Sequence, residues 1–548
     1  MSPTPRRLGL LACLIVALLL RLWHIDSLPP GFHFDEAFEG LEAWRMLTDP
    51  TYRPLFLVGN FGVAPINAYA NALMFSLFRL LGGEAGPVAM RVTAACFGGL
   101  GVIALYGLAA ELQQTDKFKD RLSASFPLFA AATLAGMRWH IHFSRIGIEP
   151  ILVPLLWTGT TWLLLRGWRT GHWAAFAGSG VLLAGSMYAY QGAWVIPFLT
   201  AFVALLLLID RAGQPVASDN SLSTIRFTLR SPQGFGLFVL AGVAFLLFAP
   251  LAWFFWQNWD LVFLRPAQLA VVGATGSPAD TSLGHNLWAT AKMFGPLGAP
   301  GDLDPRRNLP GAPALTGWLA VPFYLGLGLA AWRIRRPGYA LLLIGLIGLL
   351  LPGVFSEYAP HFHRILGAAA PTALLCALGL DWLWQWRPTA ATYLRWVSVL
   401  LLLLGSITSV RDYFVRWAAL PDLYYAFDVG LWQVGQQIAA LPPEQPVYLT
   451  PRNITHPTLA FALQVAEKAA PVTFDGRYSF PLTGGVSAQP QHYIVIEHED
   501  FRTPLLLPAL LPAATIEHEW RDGQGNIYAR WYERPANTQP QRPPQYRL

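Results

Sequence analysis

Asp35 and Glu36 stand side by side in PPGFHFDEAFEGLEAWRML (residues 29–47), just after an apolar run long enough to cross a bilayer. Adjacent carboxylates this close to hydrocarbon are costly unless they serve a purpose. The chemistry they suit is removal of a proton from a hydroxyl nucleophile, which needs a positioned carboxylate within hydrogen-bond reach. Asp35 is the candidate base and Glu36 its companion. A structural reading competes: Asp at the start of a helix is a preferred cap, favoured there by free N–H groups and the helix dipole. The reciprocal capping partner is missing, because the residue three positions on is Phe38 rather than Glu or Gln.

Three further groups carry polar chemistry. In MRWHIHFSRIGIEP (137–150), Arg145 and Glu149 are four apart and would share a helix face, either as a structural ion pair or with Arg145 receiving a phosphate in its planar fork. His140 and His142, two apart, would point to different faces of a helix and make a poor metal pair. In SEYAPHFHRILGAAAP (356–371), Arg364 opens an apolar run, where arginine commonly snorkels, and His361 and His363 precede it. On an extended backbone both imidazoles would project to one side and suit a phosphate or a metal. In SMYAYQGAW (186–194), Tyr188, Tyr190 and Gln191 read as an interfacial belt, with Tyr190 and Gln191 also placed to line a sugar pocket.

The elements that must hold these groups are set by composition. The 548 residues are 54% hydrophobic and only 13% charged, with 22 Trp, 33 Phe and 18 Tyr. Soluble domains average about 25% charged residues, so the chain reads as a polytopic membrane protein. A net charge of +6 without a long basic tract excludes a nucleic-acid footprint. Cys13, Cys96 and Cys376 all lie in apolar runs, which argues against disulfides and thiolate metal sites. The first apolar run follows Arg6 and Arg7 and lacks a small-x-small cleavage site, so it reads as a retained anchor with a cytoplasmic N-terminus.

Apolar windows near 8–25, 88–111, 123–139, 148–165, 173–190, 192–209, 235–256, 314–332, 338–352, 365–384 and 396–410 predict about eleven transmembrane helices. If the run 66–82 is re-entrant or surface-lying, then Lys117 to Arg121, Arg166 and Arg169, Arg211 to Arg230, Arg333 to Arg336 and Arg387 to Arg395 all face the cytoplasm, as the positive-inside rule asks. The acid pair, the histidine turns and everything after about residue 411 then face outward. In the acid stretch, Phe38, Leu41, Trp44 and Leu47 recur as one apolar face, with Glu39, Glu42 and Arg45 elsewhere, which predicts an interfacial helix. The expected organisation is an all-α membrane domain at 1–410, including an extracytoplasmic loop 26–87, then a small α/β domain at 411–535 and a disordered tail at 536–548. In the α/β domain, PVYLT, VTFDG and HYIVIE read as strands, HPTLAFALQVAEKA as a helix and TIEHEWRDGQGNIYARWYERP as a hairpin. The loop 257–313, which carries Asp302 and Asp304, is the expected cover over the acceptor side.

The stretches FDEAFEGLEAW, HIHFSRIGIEP, MYAYQGAW, GDLDPRRNLPGAPAL and HRILGAAAP together resemble GT-C fold glycosyltransferases, family 39-like: bacterial relatives of the protein O-mannosyltransferases and aminoarabinose transferases. The resemblance covers roughly residues 1–410. It implies transfer of a sugar, with inversion, from a polyprenyl-phosphate donor to a protein, lipid or glycan acceptor outside the cytoplasmic (inner) membrane. It maps the catalytic acid onto Asp35 and its neighbour onto Glu36, and the later basic residue onto Arg145 with Glu149 beside it. His363 and Arg364 join Arg145 as candidates for the donor phosphate, with His142, His361, Tyr190 and Gln191 as pocket support. The aminoarabinose enzymes carry Lys-Pro-Pro in the first loop, where this chain has GNFGVAPINAY, so Arg145 or Arg364 would supply more of the positive charge. No cofactor is assigned, and a divalent metal stays open because related enzymes differ. The expected partners are the lipid-linked donor, the acceptor and membrane lipids, without nucleic acid. The alternative class is a lipid or polysaccharide transporter or a membrane scaffold, for which matching halves and mid-bilayer charges would be the signs.

Overall fold

The computed structural model describes residues 3–60, 62–114, 122–212, 231–269, 282–295, 300–386, 391–482 and 485–541. The basic loop 115–121, nearly all of Arg211 to Arg230, Arg387 and the end of the expected disordered tail lie outside the described residues. The first helices are α1 (Pro3–Leu22), α2 (Phe34–Thr48), α3 (Ile66–Leu80), α4 (Pro87–Gln114), α5 (Phe126–Gly136) and α6 (Arg138–Phe143). Then come α7 (Leu152–Thr170), α8 (Trp173–Met187), α9 (Ile196–Ala212), α10 (Pro232–Gln257), α11 (Trp259–Leu269) and α12 (Leu283–Lys292). The apolar series closes with α13 (Gly317–Trp332), α14 (Pro337–Val354), α15 (Ala369–Gln385) and α16 (Ala391–Arg411), followed by a π-helical run, Asp412–Trp417.

Every apolar window expected from the sequence overlaps these helices, the window 123–139 being divided between α5 and α6 at the extended Met137. Among the described residues, six helical segments are long and apolar enough to cross a membrane: Pro87–Gln114, Gln191–Asp210, Pro232–Gln257, Pro337–Val354, Leu366–Gln385 and Tyr393–Trp417. Three shorter apolar helices accompany them, Phe126–Gly136, Trp173–Met187 and Gly317–Trp332. α3, at 15 residues, falls short of the roughly 20 that a span needs. The expected long loop 257–313 contains two helices, α11 and α12.

The chain separates into two compact units. Unit 1 comprises Met1–Ile25, Tyr52–Ala70 and Arg91–Trp417; unit 2 comprises Asp26–Thr51, Asn71–Met90 and Ala418–Leu548. The acid-bearing stretch therefore belongs with the C-terminal domain, whereas its place in sequence grouped it with the spans.

In unit 1 the crossing of α13 and α15 is set by two glycines. A Cβ on Gly326 would lie 1.9 Å from the Leu375 carbonyl oxygen, and one on Gly379 would lie 2.0 Å from that of Pro322. Small residues at such crossings let helix backbones approach where lipid gives apolar side chains no reason to associate. Polar groups near the helix ends are satisfied: Arg169 donates to Glu111, and buried Asp381 accepts from Ser123 and from Gln385 Nε2 at 2.7 Å.

Unit 2 is built on a five-stranded sheet of order β2-β1-β3-β5-β4, with β1 Val447–Thr450, β2 Val472–Thr473, β3 Gln491–Val495, β4 Thr515–Arg521 and β5 Ile527–Arg534. β2, β1 and β3 run parallel, and β5 and β4 add antiparallel as the expected hairpin. Alternation along the strands gives each face its own core. Val447, Leu449, Ile494 and Trp520 pack with α18 (Val429–Ala440) and α19 (Pro457–Val465), which follow a short helix α17 (Leu423–Ala426). Tyr448, Tyr493, Val495 and Tyr532 pack with α20 (Thr503–Leu510) on the other face.

Candidate functional site

The acid stretch is fixed from both ends of the α2 start. His33 is the N-cap, and its Nδ1 accepts from the Asp35 backbone N–H at 3.1 Å. The capping duty considered for Asp35 thus falls to His33, and Asp35 sits in the first turn, where the helix dipole favours its negative charge. Its side chain is 40% exposed, with Oδ2 3.7 Å from His33 Nδ1. Glu36, one residue on, is fully buried, and Glu39 is 2% exposed. The expected apolar face of α2 is corrected. Phe38, Leu41 and Leu47 are only half-buried, while Ala37, Gly40, Ala43 and Trp44 form the packed face. Gly40 explains this choice, since a Cβ there would lie 2.8 Å from the Phe461 ring of α19.

The residues before α2 are held by the C-terminal part of the same unit. Thr458 Oγ1 donates to the Phe32 carbonyl at 3.0 Å, and the Phe34 N–H donates to Asp428 Oδ2 at 2.8 Å. The Phe32 ring lies 5.0 Å from Phe461 and 5.2 Å from Trp432, and Phe34 meets His456 edge-on at 5.4 Å. Sequence reasoning passed over Asp428, Thr458 and His456. The only local signals were an Asp ahead of a helix and a His–Pro helix start.

Burial, followed by the positive charge of Arg452 and the neighbouring His33, pushes the His456 imidazole down to about 4. The folded state therefore binds fewer protons than the unfolded state between about 6.5 and about 4. Stability from this residue is complete above about 6.5 and falls as pH drops towards 4, by on the order of 3 kcal/mol. Melting of the protein across that interval should show this loss, and His456→Phe should flatten it.

Arg145 is fully buried in unit 1. Its Nη1 donates to the carbonyls of Leu20 (3.0 Å) and Arg21 (2.8 Å), and its Nη2 to those of Trp23 (2.6 Å) and His24 (3.3 Å). These are C-terminal carbonyls of α1 and of the turn after it, which the helix itself cannot satisfy. The guanidinium also lies over the rings of Tyr413 (5.5 Å) and Phe414 (5.0 Å) in the π-helical run. The shared helix face expected for Arg145 and Glu149 does not form. α6 ends at Phe143, Ile148 is extended, and half-buried Glu149 begins a separate 3-10 turn.

His140 and His142 go to different partners, as their spacing suggested. His140 Nδ1 lies 2.7 Å from Arg21 Nη2, and His142 Nε2 bonds the Arg306 carbonyl at 2.7 Å. Burial pushes His142 down to about 3, so it is a neutral donor pinning the loop after α12. That loop is organised by buried Asp302, which accepts from Arg307 Nε at 2.8 Å and from the Phe362 N–H at 2.9 Å. Asp304 is likewise taken up by Arg306 and Arg307.

Unit 1 gathers the remaining candidates into one wall. The Tyr190 ring stacks on His363 with centroids 5.4 Å apart and 21° between planes. Phe143 and His361 lie 5.7 and 5.9 Å from the same imidazole. Residues around His361 and His363 form turns rather than the extended backbone considered from sequence, yet the two rings stay adjacent. The Arg364 N–H donates to His361 Nδ1 at 3.4 Å, and Arg364 Nη2 lies 3.4 Å from Glu357 Oε1. Burial, then the positive charge of Arg364, holds His361 well below its ordinary value, so it is neutral. Gln191 Nε2 reaches the Gly62 carbonyl at 3.5 Å. Among the described residues, no group of three or more His, Cys, Asp or Glu is arranged to hold a metal ion.

The mostly helical chain with its small C-terminal mixed sheet shares the GT-C fold of solved membrane glycosyltransferases. ArnT from Cupriavidus metallidurans, bound to undecaprenyl phosphate, matches with a TM-score of 0.54 at 14% identity, covering 97% of this chain and 98% of that one. The oligosaccharyltransferase of Archaeoglobus fulgidus, tethered with an acceptor peptide, matches with a TM-score of 0.50 at 15% identity. That match covers 86% of this chain and 64% of the archaeal one, so the chain spans about two thirds of that enzyme's length. No protein-family model and no curated protein matches the sequence.

Proposed function

We propose that the protein is a membrane glycosyltransferase that takes a sugar from a polyprenyl-phosphate donor and passes it, with inversion, to an acceptor on the extracytoplasmic face of the cytoplasmic membrane. The observation that carries this reading is the geometry at Asp35: within a GT-C fold, a half-exposed carboxylate is held in the first turn of α2 by a His33 cap. Asp35 acts as general base. It accepts the proton of the acceptor hydroxyl as that oxygen forms its bond to the anomeric carbon. The bond from that carbon to the phosphate oxygen breaks on the opposite side, and polyprenyl phosphate leaves with the electron pair. The leaving phosphate gains negative charge, which cationic groups stabilise best when already oriented; Arg364 and His363 are the sequence-based candidates for that role. Glu36, without exposed surface, enters as a positioning residue for the turn that carries Asp35.

The test is to incubate purified protein in lipid with a panel of radiolabelled polyprenyl-phosphate sugars and measure consumption of each. Consumption of one donor, with release of polyprenyl phosphate, is expected. A protein that binds and consumes none of the panel is not this enzyme, and the transporter or scaffold class takes its place.

A further inference from the structure

The C-terminal domain contains a crevice of its own. β1 leads through α19 to β2 on one side, whereas β3 leads through α20 to the antiparallel strands on the other. In open α/β sheets, neighbouring strands whose connections diverge in this way leave a crevice at their carboxyl ends, and ligands bind there. The cavity at this position has a volume of about 410 Å³, within the range of small-ligand pockets. Arg452, Asn453, Thr455 and His456 reach it from the turn after β1, Arg477 from the segment after β2 and Glu499 from the turn after β3. Phe34, the residue immediately before Asp35, forms part of the lining.

The charges of this crevice are largely balanced. Arg452 Nε donates to Glu499 Oε1 at 2.9 Å, and Arg477 donates to Asp475 through Nε and Nη2, each at 2.8 Å. Paired guanidinium groups offer little net charge to a free anion, and the half-buried, neutral His456 adds none. The crevice instead presents planar donors and acceptors side by side, together with an aromatic ring. That is the chemistry that recognises vicinal hydroxyls on one face of a sugar ring and its C–H groups on another.

We propose that this crevice binds a hydroxyl-rich saccharide portion of the acceptor, which makes the C-terminal domain the acceptor-selecting part of the protein. The proposal rests on the transferase reading for its purpose, but not for its test. Saturation-transfer NMR on the full chain in lipid, with neutral di- to tetrasaccharides of pentoses and hexoses as probes and no donor present, should show direct contact with at least one saccharide. Asn453→Ala and Arg477→Ala, both on the exposed surface, should weaken that contact by about tenfold or more, a loss of ~1.4 kcal/mol, with the melting temperature retained. Absence of saccharide contact in the unaltered protein overturns the proposal. So does equal contact in both variants, or displacement of the saccharide by inorganic phosphate at similar concentration. Failure of donor consumption with saccharide contact intact would remove the transferase reading and leave the crevice standing.

Discussion

Replacing Asp35 with Asn should lower glycosyl transfer by about 1,000-fold, roughly 4 kcal/mol of barrier, with donor affinity and melting temperature kept. The substitution keeps the side chain's shape and leaves the backbone N–H bonded to His33 Nδ1, so α2 retains its cap. It removes the negative charge and with it the capacity to take a proton. Single-turnover measurement with bound donor checks this directly. Equal rates in both proteins would assign Asp35 a purely local role and move the base elsewhere. Glu36→Gln supplies the contrast. A fully buried side chain acts on the stability of the turn before it acts on chemistry, so its effect should appear in melting as well as in rate.

The second large effect is expected at Arg145. Arg145→Met removes a buried cation that serves four carbonyls at the end of α1, at a cost on the order of 4 kcal/mol of stability. Arg145→Lys keeps the charge but cannot span the same set of acceptors, and should fall between the two. The sequence suggested that this residue receives the donor phosphate, and two measurements on the same variants separate the roles. A clamp shifts the denaturation midpoint and leaves the donor Kd of the folded fraction unchanged. A phosphate ligand raises the Kd at constant stability.

What could be read in advance follows the range of the forces involved. Hydropathy over some twenty residues is a local property, so every apolar window became helical; alternation and a Gly-containing turn announced the hairpin β4–β5. Tyr190, His361 and His363, singled out separately near the ends of apolar runs, have neighbouring rings in the structure. The packed face of α2 was not legible. Its periodicity favoured Phe38 and Leu41, but Gly40 packs closely on Phe461 and Ala37 and Ala43 are buried with it. Nor was the use of Arg145, since backbone carbonyls more than 120 residues away leave no mark in the sequence around it. Asp302 and Asp304, singled out in the loop 257–313, organise that loop through Arg306 and Arg307, a duty indistinguishable by residue type from ligand binding.

The hydrogen bond from Thr458 to Phe32 joins residues 426 positions apart. On a chain made from its N-terminus, the stretch leading to Asp35 emerges well before its anchor. At about 5–20 residues per second, roughly 20–90 s of synthesis separates the two. Throughout that interval the Phe32 carbonyl ahead of the acid pair lacks its Thr458 donor. Anchoring of this turn is thereby timed to synthesis of the segment around Thr458, and a polypeptide arrested after Trp417 would have its apolar helices made and the stretch before Asp35 unanchored.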